Sequence, residues 1–214
     1  LIGLFLGILL ALLLDRLDNT FKTSQDVEAR LGLPVLGVGQ LIKEPGKIAP
    51  QRIFIDDNQS GFAESIRTIR TAVMLSALDT PKKVLMVTSS VPEEGKTTIA
   101  INLAVALSHV KRVLLIDADM RRPSLGKSLG FAPDAPGLSH FVAGTAAISK
   151  CIYPFEGTSL HVMPSGLIPP NPLELLMSNR FKEVLTALSE TFDYIVIDSA
   201  PVHRQRVGVG ADPH

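Results

Sequence analysis

The sequence predicts an α/β fold: a parallel, phosphate-loop nucleotide-binding sheet with flanking helices. Three short apolar runs carry that expectation. Val84-Leu85-Met86-Val87 leads into Thr88-Ser89-Ser90-Val91-Pro92-Glu93-Glu94-Gly95-Lys96-Thr97-Thr98. Val113-Leu114-Leu115-Ile116 ends in Asp117-Ala118-Asp119, and Tyr194-Ile195-Val196-Ile197 ends in Asp198. Unbroken apolar runs such as Val84–Val87 suit parallel strands covered on both faces. Ligands gather at the carboxyl ends of such strands, where the two acidic termini fall.

The first run is organised as strand, loop and helix start. Pro92 and Gly95 punctuate the loop, and Gly95-Lys96-Thr97 opens a long apolar helix from Thr98 to Val110. Loop N–H groups and a helix N-terminus aimed at one point suit an anion. The residues expected to wrap the phosphates are Ser90, Pro92, Glu93, Glu94, Gly95, Lys96, Thr97 and Thr98. Lys96 reaches the β/γ-phosphates and Thr97 holds Mg²⁺ in such a loop. The pattern G-x-x-x-x-G-K-[ST] asks for Gly at position 90, where Ser90 stands. The alternative is a surface turn that happens to contain Gly-Lys-Thr; the two acidic strand ends speak against it.

Together these three stretches resemble the bacterial tyrosine kinases of the capsular and exopolysaccharide co-polymerase family, with their Walker A, Walker A′ and Walker B strands. The resemblance runs from Leu1 to Val202. Related partitioning and septum-positioning ATPases carry an extra lysine early in the loop; Val91 occupies that place and favours the kinase branch. The family usually has Gly where this chain has Glu93. Glu64-x-x-Arg67-x-x-Arg70 resembles the family's subunit-contact motif, and Pro169-Pro170-Asn171-Pro172 resembles a family turn.

The resemblance implies an organisation for the chain. Residues 1–14 are wholly apolar with two glycines, and are followed by Arg16, Lys22 and Arg30. The run is shorter than the ~20 residues that span a bilayer. It reads as the C-terminal part of a transmembrane helix, with a signal-peptide core or a buried helix as alternatives. The basic residues place everything downstream in the cytoplasm, at the bacterial inner membrane. Residues 15–61 form a juxtamembrane segment and linker, with a helix from Thr23 or Ser24 to Leu31, a short strand Val35–Val38, and a loop from Lys43 to Gly61. Residues 62–202 form the phosphate-loop domain. Residues 203–214 change character; the family continues there with further strands, a helix and a tyrosine-rich tail, so a truncation or frame change is expected. On that expectation the fragment is a weak ATP binder and not a competent autokinase.

Within 62–202, Phe62, Ile66, Ile69 and Val73 make one buried stripe of a helix ending near Leu78. Glu64, Arg67 and Arg70 lie elsewhere on it, as a mutually paired solvated face or a self-association contact. Arg121 and Arg122 follow the second strand and suit phosphate, a neighbouring subunit or a solvated turn. A capped helix is expected near Gly137–Gly144, a strand at Leu160–Met163, and a helix capped by Asn171 with Pro172 at its first position and Glu174 at its third, broken near Ser178-Asn179.

Composition excludes several classes. The 214 residues carry zero formal net charge, which gives no case for nucleic-acid binding. A lone cysteine, Cys151, allows no internal disulfide and fits a reducing compartment. Mean hydropathy is +0.28, high for a purely soluble protein. There is no zinc-spaced His/Cys cluster, no Ser-His-Asp set, and no eukaryotic kinase signature. The resemblance implies phosphoryl transfer from ATP with Mg²⁺, carried out at the phosphate-loop site. Lys96, Asp117 and Asp119 are the expected catalytic residues, with Asp117 accepting the tyrosine proton. Thr97, Asp117, Asp119 and Asp198 are the expected metal ligands. Expected partners are further copies of the chain, the membrane, and the polysaccharide polymerase and export machinery. Two other functions stay open: a non-catalytic co-polymerase subunit whose nucleotide switches assembly, and a partitioning-type ATPase.

Overall fold

The computed structural model describes residues 23–42, 48–78 and 82–202, with Gly3, Phe5, Gly7, Leu10 and Leu13 of the N-terminal run. Its contacts separate two compact units, Leu1–Val38 and Gly39–His214. The expectations for most of residues 1–22 and for 203–214 lie outside the described residues. The five described positions within the first fourteen are helical, and Phe5, Leu10 and Leu13 are exposed. Among the described residues no helix is long and apolar enough to cross a membrane.

In the first unit, α1 (Ser24–Leu31) begins as its sequence dictates. The Thr23 hydroxyl accepts from Asp26 N, and the Asp26 carboxylate accepts from Thr23 N, satisfying two donors that the first turn would otherwise orphan. Gly32 ends the helix in the left-handed region at φ 65°. The strand expected at Val35–Val38 does not form. Those residues are irregular: no described strand of this unit offers a ladder, and Val35 N donates to Glu28 Oε1 instead.

The second unit is built on a five-stranded sheet in the order β1-β5-β2-β4-β3. Its strands are β1 (Val84–Val87), β2 (Val113–Asp117), β3 (Tyr153–Pro154), β4 (Leu160–Met163) and β5 (Tyr194–Asp198). All neighbours pair in parallel except β3 with β4. Strands β2 and β5 are buried along their whole length. One face packs on α3 (Gly61–Ser76) and α4 (Lys96–Ser108), through Val113, Leu115, Leu160, Val162 and Val196. The other packs on α6 (Leu138–Ala143) and α8 (Asn179–Thr191), through Leu114, Ile116, Met163, Ile195 and Ile197. Helix α4 lies between the sheet and α3, so every residue from Ala100 to Ser108 is buried.

The remaining helices follow local signals. Ser60 caps α3, its hydroxyl accepting from Ala63 N. Asn171 caps α7 (Pro172–Met177), and Ser178 breaks the chain and caps α8. A short helix α5 (Leu125–Ser128) and strand β3 carry no strong local signal.

Two further expectations are corrected. The segment read as a loop from Lys43 to Gly61 contains a 3₁₀ turn, Pro50–Arg52, and a short helix α2 (Ile53–Asp56) with Ile53 and Phe54 buried. The cause is tertiary: the fully buried Asn102 side chain accepts from Phe54 N and donates to Pro50 O. Among the described residues strand β1, expected to be covered on both faces, is a sheet edge. Leu85 and Val87 pack on the α4 face, while Val84 and Met86 are 41% and 68% exposed on the other.

Candidate phosphate and metal site

Three strand ends build the site. Register sets Val87 of β1 and Asp117 of β2 on either side of Asp198 of β5. The loop after β1 therefore begins in line with both carboxylates. It turns into α4 at Gly95, whose φ of 82° is what requires glycine there; the space around its Cα is open. Glu93 is the one described non-glycine with positive φ, 69°. A brace offsets that strained turn: Glu94 Oε2 accepts from Ser90 N at 2.8 Å and Val91 N at 3.2 Å. The Ser89 hydroxyl donates to Val91 O at 2.8 Å. A cleft of about 410 Å³ opens here, lined by Val87 to Ser90, Glu94, Lys96, Ile99 and Val202.

The first turn of α4 delivers the polar centre. Lys96 Nζ lies 3.0 Å from Asp119 Oδ2 and 3.4 Å from Asp198 Oδ1, almost out of solvent. Thr97 Oγ1 donates to Asp198 Oδ2 at 2.7 Å. Burial pulls the Lys96 ammonium down, but the Asp198 and Asp119 carboxylates outweigh it and hold the pKa above its usual value. Asp117 is fully buried beside them. Its Oδ1 accepts from Asp119 N at 3.1 Å, while its Oδ2 has no partner. Burial first, then the charges of Asp198 and Asp119, push the Asp117 carboxyl up to about 7.

Of the residues expected from sequence, Lys96, Thr97, Asp119 and Asp198 come together directly, and Asp117 adjoins them. Ser90 and Glu94 are tied to each other. Pro92 offers no N–H, and the Thr98 carbonyl is taken by Asn102 Nδ2. Sequence reasoning missed Ser124, whose Oγ lies 2.9 Å from Thr97 Oγ1. Its one signal was Pro123-Ser124 before the apolar Leu125. On α3, Arg67 pairs with Glu64 at 2.7 Å, also meets Asn58 O, and lies over the Phe54 ring. Arg70 does not join them; it donates to Ala106 O at 3.4 Å.

The residues fit a hard cation. The donors are oxygens, a hydroxyl and carboxylates, and Asp117 Oδ2 is a buried oxygen without a partner. Among the described residues no three His, Cys, Asp or Glu side chains form a metal cage. The oxygen-only donor set suits Mg²⁺, which uses one or two carboxylates and completes its shell with water and substrate phosphates.

Comparisons with known proteins bear on the fold and the family. The AAA domain family matches residues 82–205. The chain is 36% identical over 213 residues to tyrosine-protein kinase ptk of Acinetobacter johnsonii, covering 94% of this chain and 28% of that protein. It is 40% identical over 140 residues to tyrosine-protein kinase wzc of Salmonella typhimurium, covering 65% of this chain and 19% of that protein. The chain thus spans under a third of the length of these relatives. The solved BceF tyrosine kinase domain superposes with a TM-score of 0.76 at 33% identity, over 84% of this chain and 76% of that one. With an AAA-type phosphate loop, the same sheet and over three quarters of a kinase domain matched, the chain belongs to the bacterial tyrosine kinase family.

Proposed function

We propose that the chain is the ATP-dependent protein-tyrosine kinase portion of a membrane protein that regulates exopolysaccharide or capsule chain length and export. One observation carries the reading: Lys96, Thr97, Asp119 and Asp198 converge where the phosphate-loop cleft meets two acidic strand ends. Lys96 and the N–H groups of the loop and α4 hold the phosphates of ATP. To do so, Lys96 leaves Asp119 and Asp198. Thr97, Asp119 and Asp198 hold Mg²⁺, which when bound neutralises charge building on the phosphates. Asp117 accepts the proton as the tyrosine oxygen bonds to the γ-phosphorus and the bond to ADP breaks. In the nucleotide-free chain burial raises the Asp117 pKa, which makes its carboxylate a stronger base than an exposed one. Neither tyrosine of these 214 residues is poised as the acceptor: the Tyr153 hydroxyl donates to Pro136 O, and Tyr194 is buried in β5.

The exposed Phe5, Leu10 and Leu13 support a membrane helix ending in the first fourteen residues, with the remainder cytoplasmic. The exposed Glu64 and its partner Arg67 on α3 support self-association through that helix.

The test is phosphotyrosine on an added tyrosine-containing polymer with Mg-ATP, mapped by mass spectrometry. Wild type should label it and Lys96→Met should not. ATP hydrolysis without phosphotyrosine would replace this reading with a plain ATPase. By calorimetry, Lys96→Ala should lose most ATP affinity, about a hundredfold, because loop amides alone leave the phosphate charge poorly compensated.

A further inference from the structure

The structure assigns Ser124 as a positioning residue that orients the metal-binding hydroxyl of Thr97; the inference rests on the nucleotide and Mg²⁺ reading above. The starting point is proton counting. A threonine hydroxyl has one proton and two lone pairs, and an ionised carboxylate only accepts. Thr97 Oγ1 lies 2.7 Å from Asp198 Oδ2, so its proton goes there. The 2.9 Å contact between Thr97 Oγ1 and Ser124 Oγ then has one polarity: Ser124 donates. Lys96 Nζ donates into the same oxygen from 3.4 Å. Both lone pairs of Thr97 are therefore engaged, one by Ser124 and one by Lys96.

The two donors differ in what happens when nucleotide arrives. Lys96 is the group that turns to the phosphates, and its departure frees one lone pair facing Asp119 and Asp198. Ser124 has no such second task. It stands just before α5, after the turn in which Arg122 N donates to Asp119 Oδ1 at 3.2 Å. Its hydroxyl holds the second lone pair of Thr97 and so fixes the direction in which the first one points. It also ties the start of α4 to the segment that carries Asp119. Two cation-side oxygens from separate elements, Thr97 and Asp119, are thereby kept in step. Partners that orient a ligating oxygen contribute to metal affinity without touching the metal.

The test separates metal from nucleotide. Binding of a fluorescent ADP analogue is followed in the 214-residue chain, first in EDTA and then with increasing Mg²⁺. Ser124→Ala should raise the Mg²⁺ needed for half of the metal-dependent gain about tenfold. Affinity in EDTA and the melting temperature of the nucleotide-free chain should stay at wild-type values, and Ser124→Thr should restore most of the Mg²⁺ response. A Mg²⁺ half-saturation in Ser124→Ala equal to wild type overturns the assignment and leaves the nucleotide reading intact. An equal loss of affinity with and without Mg²⁺ also overturns it, as a general loop defect. Wild type that binds the analogue with no Mg²⁺ response overturns both the assignment and the metal site it rests on.

Discussion

Strands β1 and β2 feed the same site and have near-identical apolar sequences, yet they occupy opposite environments. Every residue of β2 from Val113 to Asp117 is buried, with helices on both faces and strands on both sides. Among the described residues, strand β1 has one neighbour, β5, and one covered face. The carboxylates therefore ride on the rigid centre, whereas the phosphate loop hangs from the half-covered edge.

The difference should be plainest in stability. Leu115→Ala in β2 removes a fully buried side chain among close neighbours and should cost about 4 kcal/mol. Met86→Ala in β1, the same kind of truncation, should cost less than about 0.5 kcal/mol because Met86 is already mostly exposed. Urea unfolding of both variants checks this. Equal losses would mean that β1 is as enclosed as β2.

Charge sharpens the contrast next. Asp117 sits at the buried end of β2 with a carboxyl pushed up from 3.8 to about 7. Its folded pKa exceeds its unfolded one, so the folded chain holds a proton that the unfolded chain has lost between those values. The stabilisation is complete below pH 4 and disappears as pH rises through about 7. Asp117→Asn cannot ionise. Relative to wild type it should gain on the order of 2–3 kcal/mol between pH 5 and pH 8 in the nucleotide-free protein. Parallel melting curves across that range would show an Asp117 that ionises freely.

This contrast also marks what the sequence could reveal. Val113–Asp117 and Tyr194–Asp198 were legible as buried strands with acidic ends, because a run of β-branched and aliphatic residues closed by Asp has few other uses. Val84–Val87 reads the same way. Its edge position depends on which strand lies beside it, and that pairing is non-local. Lys96, Thr97, Asp119 and Asp198 were legible as a set from loop and strand-end motifs. Ser124 was not, since its partner Thr97 lies 27 residues away and no spacing rule joins them. The short helix at Ile53–Asp56 was hidden for a similar reason: Asn102, far along the chain, holds its backbone.

The loop itself offers a smaller test. Glu93 at φ 69° carries a side chain in the left-handed region, where glycine costs nothing. Glu93→Gly should stabilise the nucleotide-free chain by about 1 kcal/mol, because it relieves strain and leaves the hydrogen bonds that brace the loop in place. Glu94→Ala should do the reverse and lower nucleotide affinity, since Ser90 N and Val91 N lose their acceptor. A loop whose melting temperature falls with Glu93→Gly would show that the added backbone freedom of glycine outweighs the strain.

The least effect on stability and the clearest effect on behaviour is expected on the open face of β1. Val84 and Met86 lie on the same sheet face as Ile195 and Ile197, by register, yet among the described residues no helix covers them as α8 covers those. An exposed apolar strip along an unpaired strand edge invites pairing with another chain. Replacing both with Thr puts a β-branched residue at each position and removes most of the apolar surface. Unfolding free energy should move by less than about 0.5 kcal/mol. Concentration-dependent association, read by light scattering of the purified chain, should fall. If association persists unchanged while Glu64→Ala with Arg67→Ala and Arg70→Ala abolishes it, the copies meet through α3 instead, and the β1 edge is passive. The two outcomes separate a strand edge that copies of the chain cover from a helix face that they recognise.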